Sequence, residues 1–170
     1  MREINRAGLE LVKRWEGILD GDPSTVNLDP YLDPVGIWTI GWGHAIRDER
    51  GIYVRGREGK AKAFSLYPEG ITFSQAEDLL RGDLLDAARD VTSVVTVPLS
   101  NNQFSALVSF DFNTGGLRRS TLLELLNLGN YSEAANQFLR WNKGRVNGVL
   151  KVLPGLVSRR KEERQLFRCL

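Results

Sequence analysis

Ile4, Ala7, Leu11, Val12 and Trp15 recur at three- and four-residue steps and predict one apolar face of a helix over residues 3–15. Gly17 follows Glu16 and reads as the stop signal. The period then changes. Over residues 17–58, Asp, Gly, Pro and Asn punctuate short extended runs, and in IWTIGWG Ile37, Thr39, Gly41 and Gly43 alternate with Trp38, Ile40 and Trp42. That alternation predicts a small antiparallel sheet. The stretch REGKAKAFSLYPEG at 57–70 reads as a loop. From residue 71 the pattern reads as helical to the end. Thr72 with Gln75, Ser100 with Gln103, and Asn130 with Glu133 have capping-box spacing, Ser120 precedes TLLELLNLG, and a last helix opens near Pro154. Strands segregated from helices predict an α+β fold. The expected organisation is a single domain, 1–170. A sheet lobe covers about 17–70, a helical lobe takes 1–16 and 71–170, and a cleft between them holds the site.

Composition narrows the chemistry. A chain of 170 residues with 42% hydrophobic content can bury a core without staples. Cys169 is the only cysteine and His44 the only histidine, so an internal disulfide, a Cys/His zinc site and an HExxH helix are excluded. No serine sits in a G-x-S-x-G elbow, and the glycines of TIGWGH fit neither a dinucleotide nor a Walker loop. No metal and no cofactor are expected. The net charge is only +2, but cations from Arg118 to Arg168 crowd the last third, a pattern suited to an anionic partner. The N-terminal MREINRAGLELVKRWEG lacks a signal peptide's apolar core, and no apolar run approaches the ~18 residues of a span. No nucleic acid partner, no stable membrane insertion and a monomer are expected.

Carboxylates remain as the chemical groups. Glu16 ends the first helix beside Trp15, and Asp33 and Thr39 follow in the sheet segment. Glycoside hydrolysis uses two carboxyl groups: one protonated to serve the leaving oxygen, which apolar surroundings favour, and one ionised to handle water or sugar charge. Asp20, Asp22 and Asp29 stand in the same region as rivals to Asp33.

Glu16-Gly17 after an amphipathic helix, then Y31-x-D33-x-x-G36-x-x-T39-I40-G41-x-G43-H44, resembles the phage-type lysozymes, the endolysins of glycoside hydrolase family 24. ITFSQAEDLLRGDL, QFSALVSFDFNTGG, RRSTLLELLNLGNYSEAANQFLRW and PGLVSRRKEERQLF are similar to that family's helices in order, so the resemblance covers nearly the whole chain. It implies a lysozyme-like fold with Glu16 as general acid, Asp33 as the carboxylate that positions or activates water, and Thr39 as the hydroxyl that holds it. It also implies a structural ion pair between His44 and Asp83, and substrate contacts from Gly41, Phe112 and Asn113. Trp38 and Trp42 stay open between core packing and sugar stacking. GILDGDPSTVNLDP, over 17–30, is longer than the family usually shows, and residues 47–70 also look extended.

The expected activity is a muramidase cutting the β-1,4 bond between N-acetylmuramic acid and N-acetylglucosamine of peptidoglycan, with inversion. A lytic transglycosylase, needing no activated water, and a non-catalytic wall-binding component are the alternatives. The implied setting is the host cytoplasm before release, a separate holin for passage, and the cell wall in the periplasm.

Overall fold

The computed structural model describes residues 2–169. The chain divides into two compact units: Met1–Trp15 with Leu84–Leu170, and Glu16–Asp83.

The first unit is helical apart from one hairpin. Helix α1 (Arg6–Glu16) begins where the Asn5 side chain accepts a hydrogen bond from the Gly8 N–H at 2.9 Å, so the helix opens inside the span predicted from residue 3. α4 (Leu85–Val94), α5 (Asn101–Thr114), α6 (Thr121–Asn127), α7 (Tyr131–Gln137) and α8 (Pro154–Arg168) complete the helices. α5 is the hub: every residue from Gln103 to Asp111 is buried, so no polar face is left to it. Its Ser100–Gln103 capping box forms in both directions, at 3.1 and 2.9 Å. Ser120 caps α6 through the Leu123 N–H. Phe110 of α5 meets Phe138 and Trp141 edge-on at 5.3 and 5.2 Å between centroids, each such pair contributing about 0.5–1.5 kcal/mol beyond burial.

Three readings of the pattern need correction. The chain is not helical throughout after residue 71: β4 (Lys143–Val146) and β5 (Val149–Val152) form an antiparallel hairpin. Its turn is Asn147-Gly148, with φ of 50° and 80°, the pairing that suits the twist of a two-residue hairpin. Asn130 makes no side-chain cap bond to α7. The stretch 57–70 is not a plain loop, because α2 (Lys60–Leu66) lies inside it after a short 3-10 turn at Arg57–Gly59.

The second unit holds β1 (Tyr31–Leu32), β2 (Trp38–Ile40) and β3 (His44–Ala45) in the order β1-β2-β3, all antiparallel. Beyond them the sheet continues as backbone pairs: Trp38 N–H to the Val54 carbonyl and Ile46 N–H to the Trp38 carbonyl, at 2.9 and 2.8 Å. α3 (Phe73–Asp83) opens on the predicted Thr72–Gln75 capping box, with bonds of 2.8 and 3.2 Å. Trp38 is core in this unit: its indole N–H donates to the Gly56 carbonyl at 2.7 Å and its ring meets Phe64 of α2 edge-on. Trp42 is buried too, against Phe73. Gly41 is buried at φ +62°, and a Cβ there would lie 2.9 Å from the Cβ of Ala76 on α3, so both its backbone and its packing demand glycine.

Candidate active site

Asp33 sits at the mouth of the hairpin joining β1 to β2. Its N–H donates to the Ile37 carbonyl, and its own carbonyl accepts from Gly36 N–H, closing a three-residue loop in which Gly36 takes φ +80°. Asp33 Oδ1 accepts from the N–H groups of Val35 and Ile37 at 2.9 and 2.7 Å. That fixes the carboxylate and leaves Oδ2 without a bond to any described residue.

The register pairs Tyr31 with Thr39, and Thr39 with Ala45. Directly opposed residues share a face, with Cβ atoms about 4.5–5.5 Å apart, and alternation puts Asp33 on the face of Tyr31. Tyr31, Asp33 and Thr39 therefore line one side of the sheet. Thr39 is 3% exposed, and its hydroxyl donates to the Ile37 carbonyl at 3.2 Å, so its proton is committed and its oxygen remains an acceptor.

Glu16, the last residue of α1, is solvent-exposed, so the apolar enclosure expected from Trp15 does not surround it. Burial is the main cause raising the Tyr31 phenol above its ordinary value, and the charges of Asp33 and then Glu16 add to it. Both carboxylates thus lie within electrostatic reach of one hydroxyl. Tyr31 carried no predicted role, although the Y-x-D spacing already set it on the face of Asp33.

The rival aspartates serve their own loop. Asp20 Oδ1 accepts from the N–H groups of Asp22 and Asp29, at 3.1 and 2.9 Å. Asp22 accepts from Ser24 N–H at 3.0 Å. Asp29, 6% exposed, accepts from the Thr25 hydroxyl. The loop is pinned at its far end by Leu28 and Ile71, which exchange backbone bonds of 2.8 and 2.9 Å.

His44 Nδ1 lies 3.0 and 2.9 Å from the two Asp83 oxygens, joining β3 to the end of α3. Phe112 and Asn113 belong to the first unit, on the last turn of α5. There Phe112 is half-buried, and exposed Asn113 accepts from Arg160 at 2.8 Å.

Residues 14–163 match the family model for phage lysozyme. An endolysin of Acyrthosiphon pisum secondary endosymbiont phage 1 is 36% identical over 166 residues, 96% of this chain and 97% of that one. The endolysin of Bacillus phage B103 is 38% identical over 96% of this chain, which spans 53%, about half, of that relative's length. Among solved structures, the muramidase domain of SpmX from Asticaccaulis excentricus has a TM-score of 0.74 and 33% identity, with 100% of both chains covered. The chain therefore belongs to the phage lysozyme family.

Proposed function

We propose that this chain is an endolysin-type muramidase that hydrolyses the β-1,4 bond between N-acetylmuramic acid and N-acetylglucosamine in bacterial peptidoglycan, with inversion at the anomeric carbon. Membership of the phage lysozyme family supports a lysozyme-type glycoside hydrolase acting on the cell wall. The observation that carries the reading is Asp33: one carboxylate oxygen anchored by two backbone amides, the other open, on the same sheet face as the Thr39 oxygen.

In this reading a water donates one hydrogen to Asp33 Oδ2 and the other to Thr39 Oγ1. Both of its hydrogens are then engaged, and a lone pair is left to attack. The water oxygen bonds to C1 of the muramic acid unit while the C1–O bond to the glucosamine breaks. Glu16 gives its proton to the departing oxygen, and Asp33 takes the proton the water loses. Solvent exchange then restores both carboxyls. Glu16 is exposed in the free chain, so bound glycan supplies its enclosure. Inversion leaves room for the water, with carboxyl groups of such enzymes roughly 6.5–9.5 Å apart. His44 and Asp83 act in folding rather than in the reaction. The enzyme waits in the host cytoplasm, crosses with the help of a separate holin, and works on the wall in the periplasm.

Purified peptidoglycan tests this directly. Wild type clears its turbidity, and Glu16→Gln loses about 10²–10⁴-fold in rate with its fold intact. Anomer-resolved NMR of the first product shows inversion. Products ending in 1,6-anhydro sugar would instead make the chain a lytic transglycosylase, and an inert wild type would make it a wall-binding scaffold.

A further inference from the structure

We propose that Tyr31 is a further substrate-contacting residue of this site, its hydroxyl donating a hydrogen bond to an oxygen of the sugar whose bond is cut. This rests on the hydrolytic reading above and deepens it.

The argument begins with position. Tyr31 is the direct cross-strand partner of Thr39 and stands two residues from Asp33 on the same side of β1. The face holds Ala45, Thr39, Tyr31, Asp33 and Ile37. Among their side chains only Thr39 and Tyr31 carry a donor. Thr39 has spent its proton on the Ile37 carbonyl, and Asp33, once ionised, offers acceptors alone. A sugar brings ring, hydroxyl and acetamide oxygens that need donors. Tyr31 is what this face has left to give.

The hydroxyl is available. Tyr31 is half-buried, yet no described residue bonds to its oxygen. Two other tyrosines differ: the Tyr131 hydroxyl donates to the Pro98 carbonyl at 2.7 Å and the Tyr53 hydroxyl accepts from Arg47. Its oxygen is not among the buried atoms that lack a partner, so it can bond to water in the free chain, and a ligand oxygen can take that water's place beside the two acids. Burial and the neighbouring charges of Asp33 and Glu16 also keep the phenol protonated, so it remains a donor across the range in which the carboxyls work.

Tyr31→Phe in the full chain removes the hydroxyl and keeps the ring. Its kcat/KM on soluble peptidoglycan fragments is expected to fall about tenfold or more. The thermal midpoint stays put, because no intramolecular bond is lost, and the pH–rate profile keeps its shape, because the hydroxyl meets the sugar and neither acid. Wild-type kcat/KM in Tyr31→Phe overturns the proposal. So does a lowered midpoint, which would make the hydroxyl structural, or a displaced pH profile, which would put it on Asp33 or Glu16. Glu16→Gln measured alongside separates the two levels. If Glu16→Gln stays active, the hydrolytic reading itself falls. If it is dead while Tyr31→Phe is fully active, only the role of Tyr31 falls.

Discussion

Asp20, Asp22, Asp29 and Asp33 are chemically identical groups, and position sorts them. Each accepts through a single oxygen, but the first three bond within their own loop, whereas Asp33 stands on the sheet face of Tyr31 and Thr39. Sequence alone picked Asp33 only through the family frame, since which aspartate shares that face depends on the register. The same scale yields a pH prediction for Asp111, 6% exposed, whose carboxyl burial raises above its ordinary value against the pull of the Leu117 N–H. A raised value means that the folded state holds the proton more tightly than the unfolded one. Its contribution is therefore complete below the ordinary 3.8 and is lost as pH climbs through the folded value. Asp111→Asn keeps an acceptor for Leu117 N–H, which Asp111 Oδ1 now meets at 3.0 Å, and carries no charge. The variant should be more stable than wild type at about pH 7, with the gain gone by about pH 3. Urea midpoints at both values check this, and a gain equal at the two would sink it.

Capped helices were the most legible elements, because a capping box writes two hydrogen bonds into four residues. α2 left no such trace: it is seven residues long, buries only Ala63, and has no side-chain cap. The break between α3 and α4 falls at Leu84, which keeps helical angles (φ −76°, ψ −13°), and the only sequence mark beside it is Gly82 in the last turn of α3. The Asn-Gly between KGRV and VLKV is a strong hairpin signal that the helical reading from residue 71 to the end passed over. Within the second unit, His44 of β3 and Asp83 of α3 add a polar tie to the packing of Trp42 on Phe73 and Gly41 on Ala76, with side chains 26% and 31% exposed. His44→Asn should cost about 1–2 kcal/mol, as loss of a hydrogen bond to a charged group at a partly wet site, and leave kcat within a few-fold of wild type. Calorimetry beside turnover decides. A large kcat loss at unchanged melting would move His44 into the chemistry.

At the scale of the molecule, the first unit is discontinuous in sequence, and α8 is the segment that packs most extensively on the hub helix α5. The run SRRKEERQ belongs to the cation-rich last third, whose pattern suits an anionic partner. Yet Arg159, Arg160 and Glu163 are all buried, their four- and three-residue spacing putting them on one inward face. Glu163 Oε1 accepts from Ser109 of α5 at 2.8 Å, Arg160 Nη2 at 3.1 Å and Arg159 Nε at 3.2 Å, and Oε2 lies 2.9 Å from Arg160 Nε. Burial pushes the Glu163 carboxyl up, while both guanidiniums and the Ser109 hydroxyl oppose it. Composition carries no sign of such a cluster, because burial is a property of the assembled unit. Its neighbour supplies the contrast: Glu162 pairs with Arg14 at 2.6 Å, but those side chains are 31% and 63% exposed. Removing one member of a buried pair strands its partners and costs about 3–5 kcal/mol, whereas an exposed pair contributes about 0–1 kcal/mol. Glu163→Gln should therefore cost a large part of a fold whose total stability is of order 5–15 kcal/mol, and Glu162→Gln, on the preceding residue of the same helix, almost nothing. Parallel urea titrations of the two variants measure the difference. If Glu163→Gln unfolds at the midpoint of Glu162→Gln, the buried cluster is not what fastens α8 to α5.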